Sequence, residues 1–201
     1  MTLIRPGNPG PLFLPFPKLF ARHEPLTLQY PFNMEQPFIN KVAESGLITL
    51  DPAEFYPTES IRIFDLKDHL FMNLILKEKD FRAALQNTDW SVYQDTAVGI
   101  VCSTDAIIPL WAYMLVASAL EPFASFIIKG NEQQVLESLF LRNISAINAA
   151  DYAGQRVVVK GCGEKTIPES VYIAITEKLR PQVKSIFFGE PCSTVPVYKK
   201  K

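Results

Sequence analysis

The sequence predicts an α/β domain with a mainly parallel sheet and flanking helices, built on a duplicated βαβ unit. Three observations predict it. From about Ile61, short apolar runs of strand length alternate with stretches of helical periodicity. Prolines stand where such helices begin, at a position that needs no N–H, or just past their ends, where a stop is required. One pattern of Tyr, Pro, Leu-x-Pro and Gly also occurs twice at a fixed spacing.

Residues 1–33 stand apart from this scheme. They hold seven of the sixteen prolines (Pro6, Pro9, Pro11, Pro15, Pro17, Pro25 and Pro31), a density incompatible with a regular helix or a central strand. The prolines interrupt "PLFLPFPKLF", and no small-residue cleavage site follows it, so it does not read as a secretory leader. The expectation is a weakly ordered arm over 1–33 and a single α/β domain over 35–201. Two origins fit the arm: read-through upstream of a start at Met34, or a segment that packs on a partner.

The expected strands are "IRIF" (61–64), "LILK" (74–77), "AVGIVC" (97–102), "SFIIKG" (125–130), "RVVVKG" (156–161) and "KSIFFG" (184–189). Each is apolar, β-branched or aromatic and ends at Gly, Cys or charge, as buried parallel strands do. The helices expected between them cover 78–86, 109–120, 131–148 and 168–179. Pro109 and Pro168 start two of these, and Pro122 and Pro181 stop them.

The duplication joins 93–130 to 152–189. Tyr93 matches Tyr152, Pro109 matches Pro168, Leu120-x-Pro122 matches Leu179-x-Pro181, and Gly130 matches Gly189. Every pair is 59 residues apart (93 to 152, 109 to 168, 120 to 179, 130 to 189). Cys102 and Cys162 fall one residue out of this step, in the loop after the strand. "CSTVPVY" at 192–198 reads as a clipped third copy of cysteine, proline and tyrosine.

A net charge of −1 supplies no basic field for nucleic acid. Lys199, Lys200 and Lys201 make a solvated tail. The longest apolar run, at 107–120, is too short to span a membrane and contains a proline. Three cysteines make an odd set for a disulfide framework, and without a secretory leader reduced thiols in a cytoplasm are expected. The sequence leaves oligomeric state, substrate and reaction open, so no catalytic residue is assigned.

Cys102, Cys162 and Cys192 all fall just after expected strands. The carboxyl ends of parallel strands share one edge, where ligands bind. One reading is therefore a metal or iron–sulfur site with these three thiolates as ligands and Asp105 or Glu164 as a fourth. Zinc is the other metal that suits them. Gly161, Gly163 and Gly189 would let backbone approach the cofactor. A second reading is thiol chemistry at Cys162, which lies between two glycines ahead of a helix N-terminus. No base lies near it in sequence, since His23 and His69 are the only histidines. A third reading is a non-enzymatic protein-interaction module whose cysteines simply pack.

Taken together, "NKVAESGLITLDPAEFYP", "LILKEKDFR", "VCSTDAIIPLWAYML", "KGCGE" and "GEPCSTVPVYKK" resemble the bacterial, Bacteroidetes-type family catalogued as domain of unknown function 2480, over about residues 35–201. The resemblance brings no established activity and no catalytic residues. It implies a genomic association with iron–sulfur assembly genes, and hence iron–sulfur assembly proteins as partners. That association favours the iron–sulfur reading by analogy alone.

Overall fold

The computed structural model describes residues 46–161, 163–190 and 193–201. The chain divides into two units, Met1–Phe38 and Ile39–Lys201, and everything described belongs to the second. The proline-rich arm and the thiols Cys162 and Cys192 lie outside the described residues.

Among the described residues seven strands form two sheets where the sequence suggested one. β2 (Ile61–Asp65), β3 (Ala97–Val101) and β4 (Phe126–Lys129) make a three-stranded parallel sheet in the order β2-β3-β4. β1 (Leu47–Leu50), β5 (Arg156–Val159), β6 (Ser185–Glu190) and β7 (Ser193–Lys199) make the other, in the order β1-β5-β6-β7, with only β7 antiparallel. Among the described residues four α-helices pack on them: α1 (Glu78–Gln86), α2 (Leu110–Leu120), α3 (Glu132–Ser145) and α4 (Glu169–Leu179). Pro109 and Pro168 stand at the residue before the first helical one, and an Asn131–Gln134 capping box closes the start of α3.

The duplication runs deeper than the shared motifs. Ala97 pairs with Phe126 in one sheet as Arg156 pairs with Ser185 in the other, both positions moved by 59. The left-handed residues Asp95 (φ 55°) and Gly154 (φ 68°) correspond by the same step. Their N–H groups donate to Phe123 and Gln182, again corresponding positions. Only β1 breaks the chain order, since the three-stranded sheet is sequential. β1 starts the four-stranded sheet, the chain then builds the whole three-stranded sheet, and it returns through α3 to finish the first.

The core explains why α3 carries two apolar faces. Val135 and Leu139 pack on Ala97 and one face of the three-stranded sheet. Phe140 and Ile144 pack with Leu50, Val157 and Ile186 of the four-stranded sheet and with Val171 and Ile175 of α4. Each pair is spaced i, i+4, so each lines one stripe of the helix. The opposite face of the three-stranded sheet is closed by Phe81 and Leu85 of α1 and by Ala112, Val116 and Leu120 of α2. Burying a side chain such as Phe140 is worth roughly 1.5–3 kcal/mol.

Two expected elements differ. Residues 74–77 are not a strand. Met72 and Asn73 adopt left-handed backbone (φ 53° and 58°), the Leu74 N–H donates to the Phe71 carbonyl at 3.1 Å, and Phe71 pairs with Ile75 across the turn. Leu74 and Ile75 stay exposed, so no burial holds them extended. Residues 193–199 are not a third copy of the cysteine–proline pattern either. They form β7, an edge strand antiparallel to β6, and Pro196 sits at the register shift opposite Ile186–Phe187. An edge strand at a bulge tolerates proline because no ladder N–H is required there.

Candidate functional site

Each sheet ends in a corresponding acid. Asp51 directly follows β1, and Asp65 is the last residue of β2. Each carboxylate accepts the N–H two residues on (Ala53 at 2.9 Å, Lys67 at 3.0 Å), capping a short 3-10 turn. Each also reaches the end of the neighbouring central strand. Asp51 Oδ2 accepts from Lys160 Nζ at 2.9 Å, and Asp65 Oδ1 accepts from the Ser103 N–H at 3.0 Å. The Lys160 hydrogen bond, joined by the Ala53 N–H, holds the Asp51 carboxyl below the usual carboxylate range. Burial raises the Asp65 pKa, but the hydrogen bonds from Ser103 and Lys67 outweigh it and leave a net lowering.

At the carboxyl edge of the four-stranded sheet these residues border a cavity of about 540 Å³, lined by Asp51, Lys160, Gly161, Gly163, Glu164, Lys165, Glu169, Tyr172 and Phe188, among others. Lys165 Nζ lies 4.2 Å from the Tyr56 ring centroid, and the Tyr172 and Phe188 rings meet edge to face at 5.6 Å. The edge of the three-stranded sheet holds a cavity of about 440 Å³, lined by Cys102, Ser103, Lys129, Gly130, Asn131 and Gln134. Cys102 is half-buried there, and its Sγ donates to the Thr104 carbonyl at 3.5 Å. Lys129 Nζ lies 5.8 Å from the Tyr113 ring centroid. Burial, together with the nearby Cys102, raises the Tyr113 pKa.

The two edges are not chemically equivalent. The position matching Cys102 is Gly161, and the position matching Lys129 is Phe188. A Cβ on Gly161 would lie 2.3 Å from the Phe188 ring, so a side chain there requires that ring to move. The one-residue displacement of Cys162 is therefore a real difference between the two halves.

The sequence expectation of three cysteines along one sheet is corrected by the topology. Cys102 follows β3 of one sheet, whereas β5 and β6, which precede Cys162 and Cys192, belong to the other. Of the two acids expected nearby, Glu164 lines the Gly161–Gly163 cavity. Asp105 lines a separate concavity with Leu74, Ile75 and Ile107. Gly161 stands against the Phe188 ring. Gly189 is required by its φ of 118° and by the Ser193 carbonyl, 2.6 Å from where its Cβ would stand. Gly163 faces open space. His69 stacks on Phe64 (5.2 Å) and meets Phe81 edge-on, a packed aromatic whose pKa burial lowers. Among the described residues no three His, Cys, Asp or Glu side chains are grouped to hold a metal. Sequence reading missed Asp51, Lys160 and Lys129. The available signal was the pair "LITLD" and "IRIFD", whose acids end equivalent strands.

Residues 36–200 match the family described as "Protein of unknown function (DUF2480)". The chain belongs to that family. No curated protein and no solved structure matches it. This DUF2480 chain is thus an α/β protein of two mostly parallel sheets, and among its described residues no helix is long and apolar enough to cross a membrane.

Proposed function

We propose that this DUF2480 protein holds a soft metal, as zinc or an iron–sulfur centre, through Cys162 and Cys192 at the carboxyl edge of the four-stranded sheet. The observation that carries the reading is the pairing of β5 with β6. They are parallel neighbours in register, Val159 opposite Phe188, and Cys162 and Cys192 are the first cysteines after each. Thiolates suit these metals. Glu164 on the adjoining cavity is the nearest candidate for a third ligand, and a site with so few protein ligands keeps a position open for an exogenous group. Lys160 and Lys165 on the same cavity favour an anionic one. A cytoplasmic setting and iron–sulfur assembly partners belong to this proposal.

Cys102 is assigned a packing role within it. Its half-buried thiol borders the cluster of Phe64, Ile100 and Ala112, on the other sheet. The test is purification under anaerobic conditions with zinc, iron and sulfide analysis, on the wild type and on single Cys→Ala variants. Metal that survives Cys102→Ala but not Cys162→Ala or Cys192→Ala is the expected result. A folded, metal-free wild type defeats the proposal.

A further inference from the structure

The outer face of α2 joins two loops in an apolar surface that the fold itself does not need. α2, "LWAYMLVASAL", contains no charged residue, yet Leu110 is 81% and Met114 71% exposed one turn apart. Ile107, just before the helix, is 93% exposed. Ile107 and Pro109 share a concavity with Leu74 and Ile75, and the turn that carries these continues to Phe71 and Met72, also exposed. A helix that is apolar on every face is ordinarily covered on every face. Scattered exposed apolar residues mean little, but a contiguous group of this breadth marks an interaction surface.

The duplication supplies an internal control. The positions matching Ile107, Leu110 and Met114 are Thr166, Glu169 and Ile173. The same βαβ architecture stands with a hydroxyl and a carboxylate in place of two of the three, so packing does not demand the apolar residues. The Phe71–Ile75 turn has no counterpart in the second half.

We infer that this face is a two-fold interface between two copies of the chain. Seven large apolar side chains, counting Phe71, Met72, Leu74 and Ile75 with the three above, expose an area on the order of the ~800 Å² that each side of a stable interface contributes. A face without charge meets its own image without like-charge repulsion, as an isologous contact requires. Its rim includes charges of both signs, among them Lys77, with Nζ 3.3 Å from the Phe71 ring centroid, and Asp105 beside Leu74 and Ile107. A two-fold axis can set Lys77 against the partner's Asp105.

Sedimentation velocity on the full chain over a wide concentration range tests the inference. The wild type sediments as a dimer, whereas Ile107→Lys and Leu110→Glu sediment as monomers with unchanged circular dichroism. Ile173→Lys, a charge placed at the exposed position that matches Met114 in the other half, leaves the dimer intact. A monomeric wild type at the highest concentration overturns the inference, as does a dimer that survives both interface variants. So does flotation of a monomeric wild type with phosphatidylcholine vesicles, which would make lipid the occupant.

Discussion

The Phe188 ring occupies the space that a side chain on Gly161 would need, with its Cζ 2.3 Å from the ideal Cβ position. Phe188 is held in turn by its edge contact with Tyr172. This pair separates the two halves of the duplication, since the matching residues are Cys102 and Lys129.

Gly161→Ala should therefore lower stability by about 1–3 kcal/mol through overpacking. Adding Phe188→Leu should return most of the loss, because the obstructing ring atoms are removed. Gly163→Ala, with nothing within 4 Å of its Cβ, should stay within about 0.5 kcal/mol of wild type. Urea midpoints for the four proteins check the coupling.

Gly99 should be the least replaceable glycine. Its Cβ would fall 2.3 Å from the Gly130 carbonyl, 2.8 Å from Val135 and 2.9 Å from Ile63. The first of these is backbone and cannot turn aside. Gly99→Ala should cost about 3 kcal/mol or more, at the upper end of overpacking effects, and should loosen α3 from the three-stranded sheet. The matching residue in the other sheet is Val158, fully buried. Hydrogen exchange across 132–145 reads the local effect.

His69 should make stability fall in mild acid. Burial against Phe64 and Phe81 disfavours its charged form and lowers its folded pKa below the ordinary 6.5. In the unfolded chain it takes up a proton near 6.5, so below that pH the unfolded state binds more protons and gains. Stability present at neutral pH is lost as pH falls from 6.5 towards the folded value. His69→Phe should flatten that part of the profile, measured by thermal unfolding between pH 7 and 5.

Much of this fold was readable from local pattern. The four helices lie where periodicity and the prolines put them, because their buried faces and ends are dictated within the segment. Five of the six expected strands, all but 74–77, are present for the same reason. Two things were not readable. "LITL" at 47–50 is short and unremarkable until Val157 and Val159 are beside it, so β1 is a product of long-range pairing. The division into two sheets is likewise invisible locally, since nothing in "AVGIV" or "RVVV" says which neighbours it takes. Cys102 stands at a strand end as expected, but the sheets separate its strand from the two strands that lead to Cys162 and Cys192.

The central claim is that Cys162 and Cys192, without Cys102, provide the sulfur ligands of a bound metal. X-ray absorption at the metal edge counts sulfur neighbours directly on anaerobically purified protein. The account predicts two cysteine sulfurs in a zinc-loaded wild type and the same two in Cys102→Ala. A third cysteine sulfur that disappears in Cys102→Ala, or a metal with no sulfur neighbour, would contradict it.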